Sequence, residues 1–168
     1  MATKPLTSKT KETIQKYIKN GWDIADLING VNISGLDLSH AKISYFKREY
    51  GENLVGINLT NAVIGTLADL ENPCNNLIAL AGCDLRNSSF SGTKFYGKVQ
   101  LKCANCRNCN FTWSFIPFVN YSMADLRGCR FCDTVMTIGS REGHGAIFDE
   151  AFMDLLKKAY VLKSGKES

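Results

Sequence analysis

The sequence predicts an all-β solenoid, a right-handed, four-sided β-helix of about five coils with helical segments at both ends. Large apolar residues recur every five positions, with a small or β-branched residue two places before each, as in Ala124-Asp125-Leu126. Residues 20 or 21 positions apart also match in size. A helix repeats about every 3.6 residues and a strand every two. A period of five therefore requires a corner at each repeat, and four corners close one coil.

The interior of the predicted coils is a set of stacked columns that hold one large residue per face. The predicted columns are Leu38, Leu59, Leu80, Leu101 and Tyr121; Ile43, Ile64, Leu85, Cys106 and Leu126; Leu70, Phe90, Phe111 and Phe131; and Ile33, Leu54, Asn75, Phe95, Ile116 and Met136. Asn75, beside Pro73, is the weak member of the fourth column. A narrow square tube holds one large and one small side chain in alternation, since interiors are closely packed.

The length and composition predict a single domain with three parts. With 168 residues, 45% of them apolar, the chain can form one continuous core. The predicted parts are an N-terminal tail and helical cap (1–30), the repeats (31–140), and a connector with a C-terminal capping helix (141–168). No apolar run approaches the roughly 20 residues that span a bilayer, and no signal-peptide pattern is present. We therefore expect a cytoplasmic protein that does not bind membranes.

Both ends of the stack need covers, because an open coil exposes unpaired backbone and apolar side chains. The pattern over residues 10–19 predicts a helix, with Ile14, Tyr17 and Ile18 on one face and a short second turn after Gly21. Apolar residues at helical spacing predict a C-terminal helix that caps the stack or forms a dimer. These residues are Phe148, Phe152, Leu155, Leu156 and Ala159.

The repeat pattern A-(D/N)-L-x-x, as in Ala68-Asp69-Leu70 and Ala124-Asp125-Leu126, resembles that of pentapeptide-repeat proteins over residues 31–136. The resemblance implies a quadrilateral β-helix with coils about 4.8 Å apart. Some members of the family protect type II topoisomerases such as DNA gyrase from quinolones by resembling duplex DNA. That role requires an acidic rod, whereas residues 31–140 carry ten basic and eight acidic side chains. Topoisomerase protection is therefore the disfavoured alternative.

Seven cysteines include Cys103, Cys106 and Cys109, whose C-x-x-C-x-x-C spacing resembles a metal motif. The five-residue register directs Cys106 and Cys109 into the interior on successive faces, while Cys103 faces solvent near a corner. Buried cysteine behaves as a small apolar residue. We therefore expect structural thiols and neither a metal nor a cofactor, with a zinc or cluster site as the alternative.

Catalysis is not predicted. A nucleophile needs a base, and the two histidines lie far apart, His40 in the first coil and His144 in a Gly-rich connector. No phosphate-binding or dinucleotide motif is present. We expect a protein that is not an enzyme and has no catalytic residues.

Two surface features remain as candidate sites. Arg86, Arg107 and Arg127 should stack one coil apart, where like charges repel unless they are paired or bind an anion. Either Asp84, Asn105 and Asp125, two residues earlier, relieve this repulsion, or the stripe binds an acidic protein or a nucleic acid.

The second feature is aromatic and comprises Tyr96, Trp113, Phe115 and Phe118, which the register places at corners or outside the lumen. Exposed aromatic clusters mark interfaces. The alternative is that these rings pack under the extra residue between Phe95 and Leu101 or against a terminal helix. We predict a protein–protein interaction or scaffold module with an unknown protein partner. A homodimer through this cluster or the C-terminal helix is also predicted, and nucleic acid is disfavoured as a partner.

Overall fold

A computed structural model describes residues 6–136 and 143–152, and these form a solenoid behind a helical cap. The cap consists of α1 (Ser8–Lys19) and α2 (Ala25–Ile28). Thr7 is the N-cap of helix α1, and its hydroxyl oxygen accepts a hydrogen bond from the amide of Thr10. Gly21, with a positive φ, follows its end. The predicted N-terminal helix and short second turn are both present.

The coils are built from short parallel strands and one further helix. In chain order these are β1 (Lys42–Ile43), β2 (Val63–Ile64), α3 (Leu67–Glu71), β3 (Leu77–Ala79), β4 (Lys94–Phe95), β5 (Lys98–Gln100), β6 (Phe115–Ile116), β7 (Val119–Asn120) and β8 (Val135–Met136). One parallel sheet has the order β1-β2-β4-β6-β8 and the other β3-β5-β7. The remaining two sides are joined by single parallel bridges such as Asp84 to Asn105. The predicted all-β solenoid of about five coils is confirmed.

We number the four sides as faces 1 to 4 in chain order around the coil. The large inward residues of face 1 are Ile33, Leu54, Leu85, Cys106, Leu126 and Phe148, and those of face 2 are Leu38, Leu59, Phe90, Phe111 and Phe131. Face 3 has Ile24, Ile43, Ile64, Phe95, Ile116 and Met136. Face 4 has two inward columns: one consists of Phe46, Ile78, Val99 and Val119, and the other, two residues later in each coil, of Leu80, Leu101 and Tyr121. All eight residues predicted to fill the lumen lie inside it; Phe131, near the C-terminal end, is half-buried.

The predicted columns are wrong at one point, between the second and third coils. Ile43 pairs with Ile64, 21 residues later, and Lys94 pairs with Phe115 at the same interval, but Ile64 pairs with Phe95, 31 residues later. Leu59 therefore stacks on Phe90 and not on Leu80. Ten additional residues, 66–75, leave the coil at the corner between faces 3 and 4, and we call them the insertion.

The insertion also corrects two individual placements. Leu70 belongs to α3 and Asn75 to the loop after it, so neither occupies an interior column. Below the insertion and above it, each predicted column is correct. The predicted columns above the insertion are therefore displaced by two faces relative to those below it, and this displacement occurs once.

Three of the four corners turn through a residue with positive φ. At the corner between faces 1 and 2 this position is occupied by Gly35, Gly56, Asn87, Asn108 and Gly128. Glycine and asparagine tolerate this left-handed conformation better than other residues. The corner between faces 3 and 4 differs, since it varies in length from coil to coil and contains the insertion.

The N-terminal cap is attached to the coils by apolar packing and by one buried arginine. Ile14 is fully buried. Arg48 lies at the inward position of face 4 that Leu80 occupies one coil higher, and its guanidinium donates to the carbonyl oxygens of Ile28 and Val31 and to the carboxylate of Glu52. These bonds fasten the residues after α2 to the first coil. At the other end, the rings of Phe148 and Phe152 pack on Phe131.

Part of the predicted C-terminal helix lies outside the described residues. Residues 150–152 are helical, and Leu155, Leu156 and Ala159 lie beyond them. Within residues 6–136 and 143–152, the helices are too short and too polar to cross a lipid bilayer.

Candidate functional site

Cys109 and Cys129 take the inward corner position that Ser88 occupies in the coil below them. The thiol of Cys109 donates to the carbonyl oxygen of Leu85 at 2.9 Å, and that of Cys129 to Cys106 at 2.8 Å. One coil below Cys109, the hydroxyl of Ser88 donates in the same way to Leu54 at 3.1 Å. At the corner between faces 1 and 2, a small inward side chain thus donates a hydrogen bond to a carbonyl oxygen of the coil below. This bond is a structural feature of the corner.

The buried thiols are also poor nucleophiles. Burial is the main cause that raises the pKa of Cys83, to about 11. The pKa of Cys109 is raised by its hydrogen bond with Cys106 and by burial, and that of Cys129 by its bond with Cys109 and by burial. Since the thiolate is the reactive and metal-binding form, these thiols remain protonated at neutral pH.

The C-x-x-C-x-x-C motif does not form a cluster. Cys106 fills the interior of face 1, Cys109 lies inside the next corner, and Cys103 sits half-buried at the corner between faces 4 and 1. Across residues 6–136 and 143–152, no group of three or more His, Cys, Asp or Glu side chains is arranged to hold a metal ion. His40 lies in the first coil, whereas the carbonyl oxygen of His144 accepts from Met123 in the last.

The arginine stripe stacks as predicted, and carboxylates pair with two of its members. Arg86 binds Asp84 through Nε at 2.9 Å and Nη2 at 2.7 Å, and Arg127 binds Asp125 through Nε at 2.9 Å and Nη2 at 2.5 Å. Arg107 lies 4.0 Å from Asp125. Hydrogen bonds from Arg86 and Arg127 are the main cause that holds the pKa values of Asp84 and Asp125 below the usual range.

These ion pairs make the stripe a weak candidate for anion binding. Two carboxylates neutralise much of the charge of three arginines: Arg86 and Arg127 pair with the aspartate two positions earlier, and Arg107 lies near Asp125 of the next coil. Exposed pairs of this kind contribute little to stability. Their effect is to reduce the repulsion among the three arginines that the sequence suggested.

The four predicted aromatic residues lie on face 3 and at its two corners. Trp113, Phe115 and Phe118 belong to one coil: Trp113 lies at the corner between faces 2 and 3, Phe115 at the centre of face 3, and Phe118 at the corner between faces 3 and 4. The side chains of Trp113 and Phe118 are 66% and 36% exposed. Tyr96, one coil below, contacts the Phe115 ring edge-on at 6.4 Å between centroids. Val135 stacks directly above Phe115 and is exposed. We call these five residues the aromatic patch.

The coil backbone fixes the aromatic patch in place. Phe115 and Val135 are outward residues of neighbouring strands β6 and β8, and Trp113 holds the positive-φ position of its corner. The indole Nε1 of Trp113 donates to the carboxylate of Asp133 at 3.0 Å. A bulky tryptophan in this conformation is uncommon, and the bond to Asp133 orients its ring along the surface.

The insertion is the second distinctive surface feature, and sequence reasoning missed it. The capping box of α3 joins Thr66 and Asp69: the Thr66 amide donates to Asp69 Oδ2 at 2.6 Å. Asn76 donates from Nδ2 to Asp69 at 3.0 Å and to the carbonyl oxygen of Ser44 at 2.9 Å. Burial disfavours the charge on Asp69, but the hydrogen bonds from Asn76 and Thr66 prevail and lower its pKa. The insertion is therefore fastened at its base to the first coil.

Two glycines allow the insertion to leave and rejoin the coil. A Cβ on Gly97 would lie 2.3 Å from the carbonyl oxygen of Asn76. One on Gly65, which has a positive φ, would lie 3.2 Å from the amide of Gly97. This close approach lets the amide of Lys98 bind the carbonyl oxygens of Pro73 and Asn76 at 3.1 and 3.0 Å. The only sequence signal for the insertion was the polar segment Asn72-Pro73-Cys74-Asn75.

A five-residue repeat, four faces and in-register coils are the features of a pentapeptide-repeat protein, so the resemblance seen in the sequence is confirmed at the level of the fold. No protein-family model matches the chain. No curated protein matches it.

Similar solved structures share this repeat class. A pentapeptide repeat protein from the thylakoid lumen of Arabidopsis thaliana is 17% identical with a TM-score of 0.29, over 76% of this chain and 74% of its own. Rfr23, a pentapeptide repeat protein from the cyanobacterium Cyanothece 51142, is 20% identical with a TM-score of 0.20, over 70% and 59%. QnrB1, a plasmid-mediated fluoroquinolone resistance protein, is 17% identical with a TM-score of 0.24, over 83% and 84%.

Proposed function

We propose that this protein is a non-catalytic interaction module that binds a cytoplasmic protein partner through the aromatic patch. The observation that carries the proposal is the exposure of Trp113 and Phe118 at the two corners of one coil, with Phe115 and Val135 between and above them. Rigidly held aromatic side chains are the residues that dominate binding energy in protein interfaces. A solenoid presents them with little loss of conformational entropy on binding.

The patch favours a protein over a nucleic acid as the ligand. The charged side chains beside the patch include Lys94, which pairs with Phe115 in the sheet, Lys98, which lies one coil below Phe118, and Asp133, which binds Trp113. Two positive charges and one negative charge do not form a basic groove along which a phosphate backbone could run. A mixed rim around an apolar centre is typical of protein interfaces.

A role as a DNA mimic is not favoured by the surface charges. A DNA-like rod needs carboxylates that attract the enzyme's basic surface. Here Asp84 and Asp125 are neutralised by Arg86 and Arg127. We expect no change in gyrase supercoiling, with or without a quinolone, when the protein is added; protection from the drug would establish the topoisomerase alternative.

The experiment is affinity capture from the native cell with matched variants. Trp113→Ser/Phe118→Ser removes the two corner aromatics, and Tyr50→Ser/Met123→Ser removes as many exposed apolar side chains from the corner between faces 4 and 1. We expect a partner that the wild type and the control variant retain and the patch variant loses. Equal capture by both variants would contradict the proposal.

A further inference from the structure

We propose that two copies of this chain form a symmetric dimer through the insertion, with Leu67 of each copy in an apolar groove beside β2 of the other. This contact lies on the lower part of face 3, two coils below Phe115, and adjoins the aromatic patch where Tyr96 packs beside Gly65. The proposal rests on a projecting leucine, a groove beside it and the charges around both.

Leu67 is the projecting part of the insertion. It is the first residue of α3 and is 70% exposed, although the helix is held firmly by the capping box and by Asn76. An exposed leucine on a mobile loop would lose its freedom on binding, whereas one on an anchored turn loses little. The fixed backbone therefore makes Leu67 an effective anchor for an apolar pocket.

The groove lies directly beside this leucine. It has a volume of about 240 Å³, and its walls are mostly apolar. Ile43 and Val63 of β1 and β2 contribute to it, together with Gly65 and Thr66 at the base of the insertion. Lys42 and Asp23 line its edge. This volume is sufficient for a leucine side chain.

Because Thr66 lines the groove and Leu67 follows it, the projection and the recess share one surface. A surface that carries both can pair with an identical copy about a twofold axis, so that each leucine enters the other copy's groove. Symmetry then doubles each contact. A partner protein of different sequence would have to supply both features independently, and this is why we assign the site to a second copy.

Glu71 and Lys42 give this surface one complementary pair of charges, while Asp23, the acidic residue of the groove, accepts hydrogen bonds from the amides of Ala25 and Ser44. The insertion contains Asp69 and Glu71 and no basic residue. Glu71 is four positions after Leu67, so both side chains lie on the same side of α3. When Leu67 enters the groove of the other copy, Glu71 comes close to Lys42 on its edge. Asp69 is already bound by Thr66 and Asn76, which leaves Glu71 as the carboxylate for this contact.

The test is light scattering and sedimentation of the full chain across a range of concentrations. We expect the wild type to dimerise and Leu67→Ser to raise the dimer dissociation constant by roughly a hundredfold, since two contacts are lost together. Val63→Gln, which narrows the groove from an outward strand position, should act similarly. Tyr50→Ser, at a site that is 74% exposed on another corner, serves as the control and should dimerise as the wild type does.

A charge exchange distinguishes direct pairing from general damage. Lys42→Glu and Glu71→Lys should each weaken the dimer, and a mixture of the two single variants, or the double variant, should restore it. A strictly monomeric wild type would overturn the proposal. So would a dimer that survives Leu67→Ser but dissociates with Trp113→Ser/Phe118→Ser, because the second copy would then occupy the aromatic patch. The capture experiment on the aromatic patch is unaffected by Leu67→Ser, so the two proposals can fail separately.

Discussion

The two opposite corners of the solenoid differ in almost every respect. At the corner between faces 1 and 2, each coil turns through Gly or Asn with positive φ, and Ser88, Cys109 and Cys129 make the same inward hydrogen bonds. At the corner between faces 3 and 4, the chain turns through different numbers of residues in successive coils and includes the insertion. The first corner is uniform and the second varies.

The surfaces beside these corners differ in the same way. Beside the uniform corner, arginines and aspartates of the same coils neutralise one another. Beside the variable corner lie the exposed side chains of Leu67 and Phe118, and Val135 is exposed at the centre of the adjoining face 3. One side therefore satisfies its own polar groups and maintains the stack, while the other side exposes apolar side chains to solvent.

The largest expected effect is on the uniform interior. Phe111 stacks between Phe90 and Phe131 at centroid distances of 5.0 and 5.4 Å. We expect Phe111→Ala to lower the free energy of unfolding by about 3 to 5 kcal/mol, because it removes both contacts and leaves a cavity. Chemical denaturation measures this. The outward Phe115→Ala serves as the control and should cost far less; similar losses would show that the two sides are not distinct.

A smaller effect is expected at the base of the insertion. Gly97→Ala would place a Cβ 2.3 Å from the carbonyl oxygen of Asn76. The backbone segments at Gly97 and Asn76 must then move apart, which lowers the free energy of unfolding by about 1 to 3 kcal/mol. We expect amide exchange to rise at Lys98, whose bonds to Pro73 and Asn76 depend on this approach, while Phe90 and Phe111 stay protected. Unchanged exchange at Lys98 would show that its bonds to Pro73 and Asn76 do not depend on the close approach of Gly97.

Excision of the insertion should have a still smaller effect on the fold. Removing residues 66–75 joins Gly65 to Asn76 and restores a coil of 21 residues, the same interval as from Ile43 to Ile64. We expect cooperative unfolding and an unchanged β-type circular dichroism spectrum, together with loss of dimerisation. Loss of the folded state would show that the insertion is an integral part of the stack.

The smallest expected effect is a pH dependence of stability that arises from the ion pairs beside the uniform corner. The pKa values of Asp84 and Asp125 are lowered by Arg86 and Arg127 in the folded protein. The two ionised aspartates therefore contribute fully to stability above the pKa of an unfolded aspartate, near 3.8. This contribution is lost as the pH falls through the lower pKa values of the folded protein. We expect Asp84→Asn/Asp125→Asn to reduce the loss of stability below about pH 4. An identical acid profile for wild type and variant would contradict this.

The sequence was sufficient to predict the fold because a five-residue period admits few other structures. It also placed Cys106, Cys109 and the stripe of Arg86, Arg107 and Arg127 correctly, since all of these lie above the insertion. The predicted homodimer remains a prediction, with a different surface now proposed for it. The C-terminal helix as a dimer element lies mostly beyond the described residues.

The insertion escaped prediction for a physical reason. It is ten residues long, which equals two repeats, so the five-residue pattern continues through it without interruption. Every face accepts a large apolar residue, and a shift of two faces therefore places Leu80 and Leu85 at sites as suitable as their true ones. Only Asn75, a polar residue at a predicted interior site, disagreed with the pattern. Val135 was missed as part of the aromatic patch because its exposure depends on which residues lie above it.

The central claim is that partners bind the variable side and not the uniform one. Photo-crosslinking tests it most directly, with a benzophenone amino acid placed singly at Leu67, Asn105, Asn110 and Phe115. These positions represent the insertion and the outward residues of faces 1, 2 and 3. We predict adducts from Leu67 to a second copy and from Phe115 to a protein partner, and none from Asn105 or Asn110. Adducts that form only from Asn105 or Asn110 would contradict the account.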